Sequence, residues 1–436
     1  METLIMQDII KEKKVRKINS DNHTIADFYS LKNKDLFVKT KPCFEYITDW
    51  QKKGTYTLRR TILSESKNRV IIYDEYSGRK REMIMMASNN YLGLSTHPKV
   101  KEAAIEAIRK YGSGMSGSPI LNGTFNLLKK LEEKLAQLKG CEEAMLFSTG
   151  YSTNVGAISG LIRSEDVIII DRLNHASIID GCILAKANFR IFKHNDMQSL
   201  ESVLKKIDGE FMGKLIAVDG IFSMEGDLAS LPDIVELADR YSAKIMVDEA
   251  HATGVIGDHG GGATEYFNLK GKIDLVMGTF SKTFATTGGY IASNKEVINY
   301  LRHFARSYLF SASLTPSVVA TVLAGLEVLE KEPQLRIKLW NNIKYMHDNL
   351  KGMGYNVFPS PPESAILILP IGKEVKLRQM SRKIHEEGIF LNAIPYPAVA
   401  KDKSRFRISL MATHTREDLD KTLDVLEKVG KEFDVI

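Results

Sequence analysis

The sequence predicts an α/β protein in which a mostly parallel sheet is covered by helices on both faces and followed by a smaller α+β domain. Three observations predict it. Short apolar segments at 144–147, 167–170, 189–192, 215–218, 244–247 and 273–277 alternate with helical patterns along most of the intervening chain, as strands joined by crossover helices do. They are apolar throughout rather than at every second residue, which suits strands buried on both faces. Residues able to do chemistry fall just past their carboxyl ends, where an open parallel sheet binds its ligands. Past Pro316 the pattern changes to strands at 365–370, 389–392 and 406–410, with helices at 374–386 and 416–433. The expected organisation is an N-terminal arm over 1–54, a segment over 55–95 that packs with the small domain, a large domain over 96–315 and a small domain over 316–436.

Composition bounds the function. The chain has 436 residues and 44% hydrophobic content, enough for a large core and more than one domain. A net charge of +6 favours acidic partners such as a CoA thioester, an acyl carrier protein or an anionic membrane face, and is too weak to argue for nucleic acid. Cys43, Cys141 and Cys182 lack metal-ligand spacing, so no metal site and no disulfide framework are expected. Neither a membrane-length apolar run nor a signal-peptide core is visible, and a cytoplasmic location is expected.

Taken in order, residues 1 to about 40 are polar, with a basic run from Lys11 to Lys17, and read as a loosely docked arm. That run reads as a solvated tail, with contact to a membrane face or partner as the alternative. Segments 69–73 and 82–86 flank the turn signal Tyr76-Ser77-Gly78-Arg79 and form a hairpin. Asn89, in the pattern-breaking stretch that follows, either caps a turn or holds a small polar ligand. A helix runs from 98 to 111 and a second from 126 to 138. Between them Gly112-Ser113-Gly114-Met115-Ser116-Gly117 spells a dinucleotide fingerprint, but a helix precedes it where a strand is needed, so it reads as a flexible active-site loop.

Lys282 is the candidate nucleophile. It follows an apolar strand through Gly278-Thr279-Phe280-Ser281, so that two hydroxyls and free backbone amides flank an amine. An anion cradle beside an amine fits a Schiff base with an aldehyde-bearing phosphate ester, and pyridoxal phosphate is such a molecule. The stretch Ser148-Thr149-Gly150-Tyr151-Ser152 follows a strand and opens a helix, which makes its amides a second phosphate contact. Asp248 at another strand end would pair with a pyridinium nitrogen and keep the ring an electron sink. His251, three residues on, would reach the phenolic oxygen, and His175 would stack on the ring. Each histidine alone fits a satisfied core position equally well; their shared place at carboxyl strand ends decides for the site. Arg407, inside a strand pattern, calls for a carboxylate partner.

Three motifs then resemble the α-oxoamine synthases, pyridoxal phosphate enzymes of fold-type I that join an amino acid to an acyl thioester with loss of CO2. They are Asp248-Glu249-Ala250-His251, Gly278-Thr279-Phe280-Ser281-Lys282 and Ser88-Asn89-Asn90-Tyr91-Leu92-Gly93, within a likeness over about 55–430. Inside the family, Leu121-Asn122-Gly123-Thr124 and the stretch from Ser409 to Thr415 resemble the bacterial serine palmitoyltransferases more than the 8-amino-7-oxononanoate synthases or the 2-amino-3-ketobutyrate CoA ligases. One departure is Pro119, where many relatives carry arginine. The resemblance implies catalytic roles for Lys282, His175, Asp248 and His251. It implies cofactor contacts from Gly150, Tyr151, Ser223, Thr279 and Ser281, with Ser311 and Ala312 reaching the partner's phosphate in a homodimer. Asn89 and Arg407 are then the substrate contacts, and the expected product is a 3-keto sphingoid base from serine and a long-chain acyl thioester. Readings of other classes are an aminotransferase, which would share Asp248 and Lys282, and a non-catalytic partner subunit, which should lack the lysine.

Overall fold

The structure, a computed structural model, describes residues 18–436. The run from Lys11 to Lys17 lies outside the described residues. Within the segment expected as a mobile or loosely docked arm, Ile18 packs with Tyr46 and Trp50, whereas Tyr29, Leu36 and Phe37 are exposed. Pro42 in the first turn starts the helix Lys41–Lys52, which turns Tyr46 and Trp50 inward at an i, i+4 spacing. Both are buried, and the guanidinium of Arg378 lies 3.9 Å over the Trp50 ring while donating to the Ser20 carbonyl at 3.0 Å. Beyond it, β1 (Thr61–Ile62), β2 (Arg69–Asp74) and β3 (Arg79–Met85) form an antiparallel meander, with the predicted turn supplied by Gly78 at φ +66°.

The central sheet holds β4 (Glu143–Phe147), β5 (Val167–Asp171), β6 (Asn188–Phe192), β7 (Lys214–Asp219), β8 (Lys244–Asp248), β9 (Leu275–Thr279) and β10 (Gly289–Ser293). Its order is β4-β10-β9-β8-β7-β5-β6, and β10 alone runs against its neighbours. All five residues of β5 are buried, as an apolar strand under helices on both faces must be. Two details differ from the sequence reading. Strand β10 was not expected, because it opens at Gly289, where Gly288-Gly289 reads as a turn. Strand β9 starts two residues later than expected and ends at Thr279, so Gly278 and Thr279 belong to the ladder rather than to the turn. Asp274 therefore lies at the amino end, where it accepts from Lys244 Nζ at 2.8 Å and the Ile245 amide at 2.9 Å, far from any site at the other end. The Gly112–Gly117 stretch follows the helix Pro98–Tyr111 and runs into the π turn Pro119–Gly123, an arrangement no dinucleotide fold uses.

After the long helices Pro316–Lys331 and Gln334–Gly352 come β11 (Ile366–Gly372), β12 (Ile389–Phe390), β13 (Asn392–Ile394) and β14 (Ser404–Ser409). The single strand expected over 389–392 is split. Ile389 and Phe390 pair in parallel with β3, whereas Asn392 to Ile394 pair antiparallel with β14, so one short stretch stitches the N-terminal meander to the small sheet. Arg69 adds a second tie, donating from Nε to the fully buried Asp418 carboxylate at 2.7 Å. Among the described residues no helix is long and apolar enough to cross a membrane.

Removing the Trp50 side chain takes away the ring under Arg378 and a buried aromatic surface. Trp50→Ala is expected to destabilise the protein by about 3 kcal/mol in chemical denaturation. A loss under about 1 kcal/mol, within the range of a surface substitution, would show that the segment from Ile18 contributes no docking energy.

Candidate active site

A cavity of about 300 Å³ opens at the carboxyl ends of the central strands, lined among others by Gly150, His175, Asp219, Asp248, His251 and Lys282. The sheet sets their spacing. Asp219 and Asp248 end neighbouring strands in direct register, and Lys282 follows the end of β9 after the fully buried Phe280. Thr283 fixes the lysine from the other side by donating to the Thr253 carbonyl at 2.7 Å. Gly254, at φ +81°, keeps that contact possible, since a Cβ there would strike the Thr283 side chain.

Burial pushes the Lys282 ammonium down, the Asp248 carboxylate opposes that, and the charge of Arg407 deepens it, leaving a pKa of about 8 against an ordinary 10.5. The amine is thus poised to exchange protons near neutrality. Burial, with the charges of Lys282 and Arg407, also holds His251 well below the usual imidazole range. Its Nδ1 meets the Tyr91 hydroxyl at 2.7 Å. His175 caps the helix Ala176–Ala185, its Nδ1 accepting from the Ser177 amide at 3.3 Å, and burial lowers it too. Asp248 accepts from the Ala250 amide at 2.9 Å and from Asn154 Nδ2 at 2.8 Å. Burial and the neighbouring Asp248 charge raise Asp219 well above the carboxylate range, although the His175 amide donates to it at 3.2 Å.

The donor set fits pyridoxal 5'-phosphate. Thr149 caps the helix Gly150–Leu161 by accepting from the Ser152 amide at 3.0 Å, and the first-turn amides of Gly150 and Tyr151 have no partner within the helix. A Cβ on Gly150 would lie 2.7 Å from Thr279 Oγ1, so only glycine keeps this cradle open. The hydroxyls of Thr279 and Ser281 lie 3.0 Å apart on its other side. An anion cradle, an amine of lowered pKa and a hydrogen-bonded carboxylate at the cavity wall match the three chemical ends of the cofactor.

Not every expected residue lines the cavity. Arg407, on β14, is 4% exposed and its partners are all neutral oxygens: the Ser223 carbonyl at 2.7 Å, Ser409 Oγ at 3.0 Å and Asn89 Oδ1 at 3.1 Å from both terminal nitrogens. Ser223 thereby meets Arg407 through its backbone. Ser311 and Ala312 line a separate small space with Ser148 and Pro119, so within one chain they stay out of the cavity. Sequence reasoning missed Asp219, Asn154 and Tyr91 as site residues. Asp219 was findable, since it ends a strand before a glycine in the register of Asp248. Asn154 carried no signal, because its helix is apolar on several sides.

The Lys282 environment has a sign. Between pH 8 and 10.5 the folded chain has released a proton that the unfolded chain still holds, so stability rises with pH across that window. In cofactor-free protein, competitive acylation with acetic anhydride and peptide mapping is expected to place the Lys282 midpoint near pH 8. A midpoint equal to that of the exposed lysines would contradict the buried amine.

Residues 81–426 match the aminotransferase class I and II family. The chain is 44% identical to an 8-amino-7-oxononanoate synthase of Thermoanaerobacter pseudethanolicus over 90% of its own length and 97% of that protein. It is 42% identical to a serine palmitoyltransferase of Sphingobacterium spiritivorum, covering 90% of this chain and 96% of the relative. The solved serine palmitoyltransferase of Sphingomonas wittichii superposes with a TM-score of 0.87 at 35% identity, covering 92% of this chain and all of that one. A shared fold, a lysine and carboxylate in one cavity and relatives of this kind converge: the chain belongs to the α-oxoamine synthases, pyridoxal phosphate-dependent acyltransferases of fold-type I.

Proposed function

We propose that this synthase condenses L-serine with a long-chain acyl thioester, releasing CO2 and the thiol and yielding a 3-keto sphingoid base. The observation that carries the amino-acid half is Arg407. A guanidinium buried near Lys282 with only neutral partners leaves its charge uncompensated, and one Nη2 N–H has no partner until a carboxylate arrives. Asn89, already bonded to both terminal nitrogens, would hold the fork in plane as the carboxylate docks. The fold likeness to a solved serine palmitoyltransferase supports serine as the amino acid.

In this reading Gly150, Tyr151, Thr279 and Ser281 would hold the cofactor's phosphate, Asp248 its ring nitrogen, His251 and Ser223 its phenolic oxygen, and His175 one face of the ring. When bound, the cofactor supplies the electron sink for the substrate α-carbon. Arg407 fixes the substrate carboxylate and so decides which bond to the α-carbon stands out of the plane. Lys282 Nζ takes the α-proton, and a pKa near 8 lets the same amine return a proton once CO2 has left. One C–C bond forms at the thioester carbonyl as its C–S bond breaks, so each turnover consumes one amino acid and one thioester. His175, whose pKa is lowered by desolvation at the cavity wall and whose Nδ1 accepts from the Ser177 amide, would donate from Nε2 toward the substrate.

The active assembly in this proposal is a homodimer. Leu121 and Phe310 are 82% and 76% exposed, beside the Ser311 and Ala312 segment that would complete the partner's phosphate site. A second reading, supported by the similarity to an 8-amino-7-oxononanoate synthase, is a synthase of that type with a different amino acid and acyl group, and Pro119 removes the substrate contact that a relative's arginine would make in either reading.

Incubation of the purified protein with palmitoyl-CoA and serine, glycine or alanine tests the choice, and serine is expected to be turned over fastest. Preference for glycine or alanine would overturn the sphingoid-base reading and leave the synthase class intact. Asp248→Asn is expected to keep its fold and lose about a hundredfold or more in turnover, as removal of a preorganised charge does. Unimpaired turnover would remove its role in the electron sink.

A further inference from the structure

His194 lies outside the cavity and bridges two carboxylates. Its Nδ1 is 3.0 Å from Asp171 Oδ1, and its Nε2 is 2.9 Å from Asp227 Oδ2. Ionised carboxylates only accept hydrogen bonds, so both ring nitrogens must donate and the ring must be the imidazolium. Burial alone would depress that cation, but the bonds to Asp171 and Asp227 outweigh it and raise the group to about 10. The ring also meets Phe222 edge-on, with centroids 4.5 Å apart. The neighbouring Asn195 adds bonds to Asp227 at 3.2 Å and to the Leu228 carbonyl at 2.8 Å.

These bonds grip the base of one loop. Ile221 and Leu228 pair across it, and the Phe222 amide donates to the Asp227 carbonyl at 3.0 Å. Its tip faces the small domain, where the Ser223 carbonyl takes Arg407 Nε at 2.7 Å and the Met224 carbonyl takes Arg405 Nη1 at 2.9 Å. Glu225 receives Arg405 at 2.6 Å, and the Gly226 carbonyl accepts from Ser364 Oγ at 2.7 Å. The loop is thus the part of the large domain on which the Arg407 guanidinium rests.

Resting on the reading of Arg407 as the carboxylate-binding residue, we infer that His194 is a positioning residue for the amino-acid substrate. It locks the base of the loop 220–228 by joining Asp227 to Asp171, and so sets where Arg407 presents its remaining Nη2 N–H. Charge matters only because two acceptors need two donors. With Asp227→Asn, the amide oxygen in the place of Oδ2 still accepts from His194 Nε2–H and from Asn195 Nδ2, so the bridge to Asp171 survives the loss of that carboxylate charge.

The test compares His194→Phe, Asp227→Asn and Arg407→Ala in the holoenzyme, measuring KM for amino acid and thioester separately, with hydrogen exchange of the 220–228 amides in cofactor-free protein. His194→Phe is expected to raise the amino-acid KM about tenfold, the usual penalty for stranding a buried hydrogen-bonding group. Thioester KM should stay unchanged and kcat within a few-fold, with faster exchange confined to the loop. Asp227→Asn is expected to match the wild type in both readouts. If Arg407→Ala raises the amino-acid KM while His194→Phe does not, the positioning role is overturned and the reading of Arg407 stands. An unchanged amino-acid KM in Arg407→Ala overturns that reading itself. Equal rises in both KM values for His194→Phe would mark a merely structural residue and overturn the inference too.

Discussion

Two cations buried in one place, Lys282 and Arg407, are the constraint on which the rest of this structure depends. Taking charges out of water is costly, and the molecule offsets it unequally. Lys282 stands near Asp248 and Asp219, whose strands bring both carboxylates to the cavity in register. Arg407 has only neutral oxygens. Burial, with the charges these cations place on their neighbours, lowers the amine and lowers His251 and His175 as well. In the proposed function a substrate carboxylate would relieve the side left uncompensated.

That arrangement needs two sheets held at a fixed distance, because Lys282 follows a strand of the seven-stranded sheet and Arg407 lies on the three-stranded one. One loop past β7 joins the two sheets, and two further contacts brace the small sheet against the N-terminal meander. The short stretch from Ile389 to Ile394 pairs first with β3 and then with β14, the loop 220–228 carries the Arg407 guanidinium, and Asn89 reaches it from the segment beside β3. One apolar cluster runs from Val218 and Val247 to Ile366 and Phe406, and the hydrogen bonds to Arg407 and Arg405 add directional limits to that packing.

Much of this was legible in the sequence, and for physical reasons. Apolar runs of five residues are read as buried strands because burial on both faces leaves no other pattern, and Lys282, Asp248, His251 and His175 could be placed because strand ends are where such a sheet exposes polar residues. The misses have causes as well. Strand β10 begins with Gly289, which local reading assigns to a turn, whereas the ladder to β4 and β9 imposes the strand. The split at Leu391 depends on two partners distant in sequence. Asn154 and Tyr91 enter the site through helix rotation and long-range contacts at 94 and 160 residues of separation, which no local pattern records. Arg407 stood out because an arginine in an apolar strand is costly, but that its partners would all be neutral was not visible.

The central claim is that this buried constellation runs a decarboxylative condensation rather than an amino-group exchange on the same lysine and carboxylate. Following carboxyl-labelled amino acid through single turnovers tests it most directly, with CO2, free thiol and aminoketone counted together. The account predicts one of each per active site, appearing only when both substrates are present. Formation of a keto acid with the labelled carboxyl retained would contradict it.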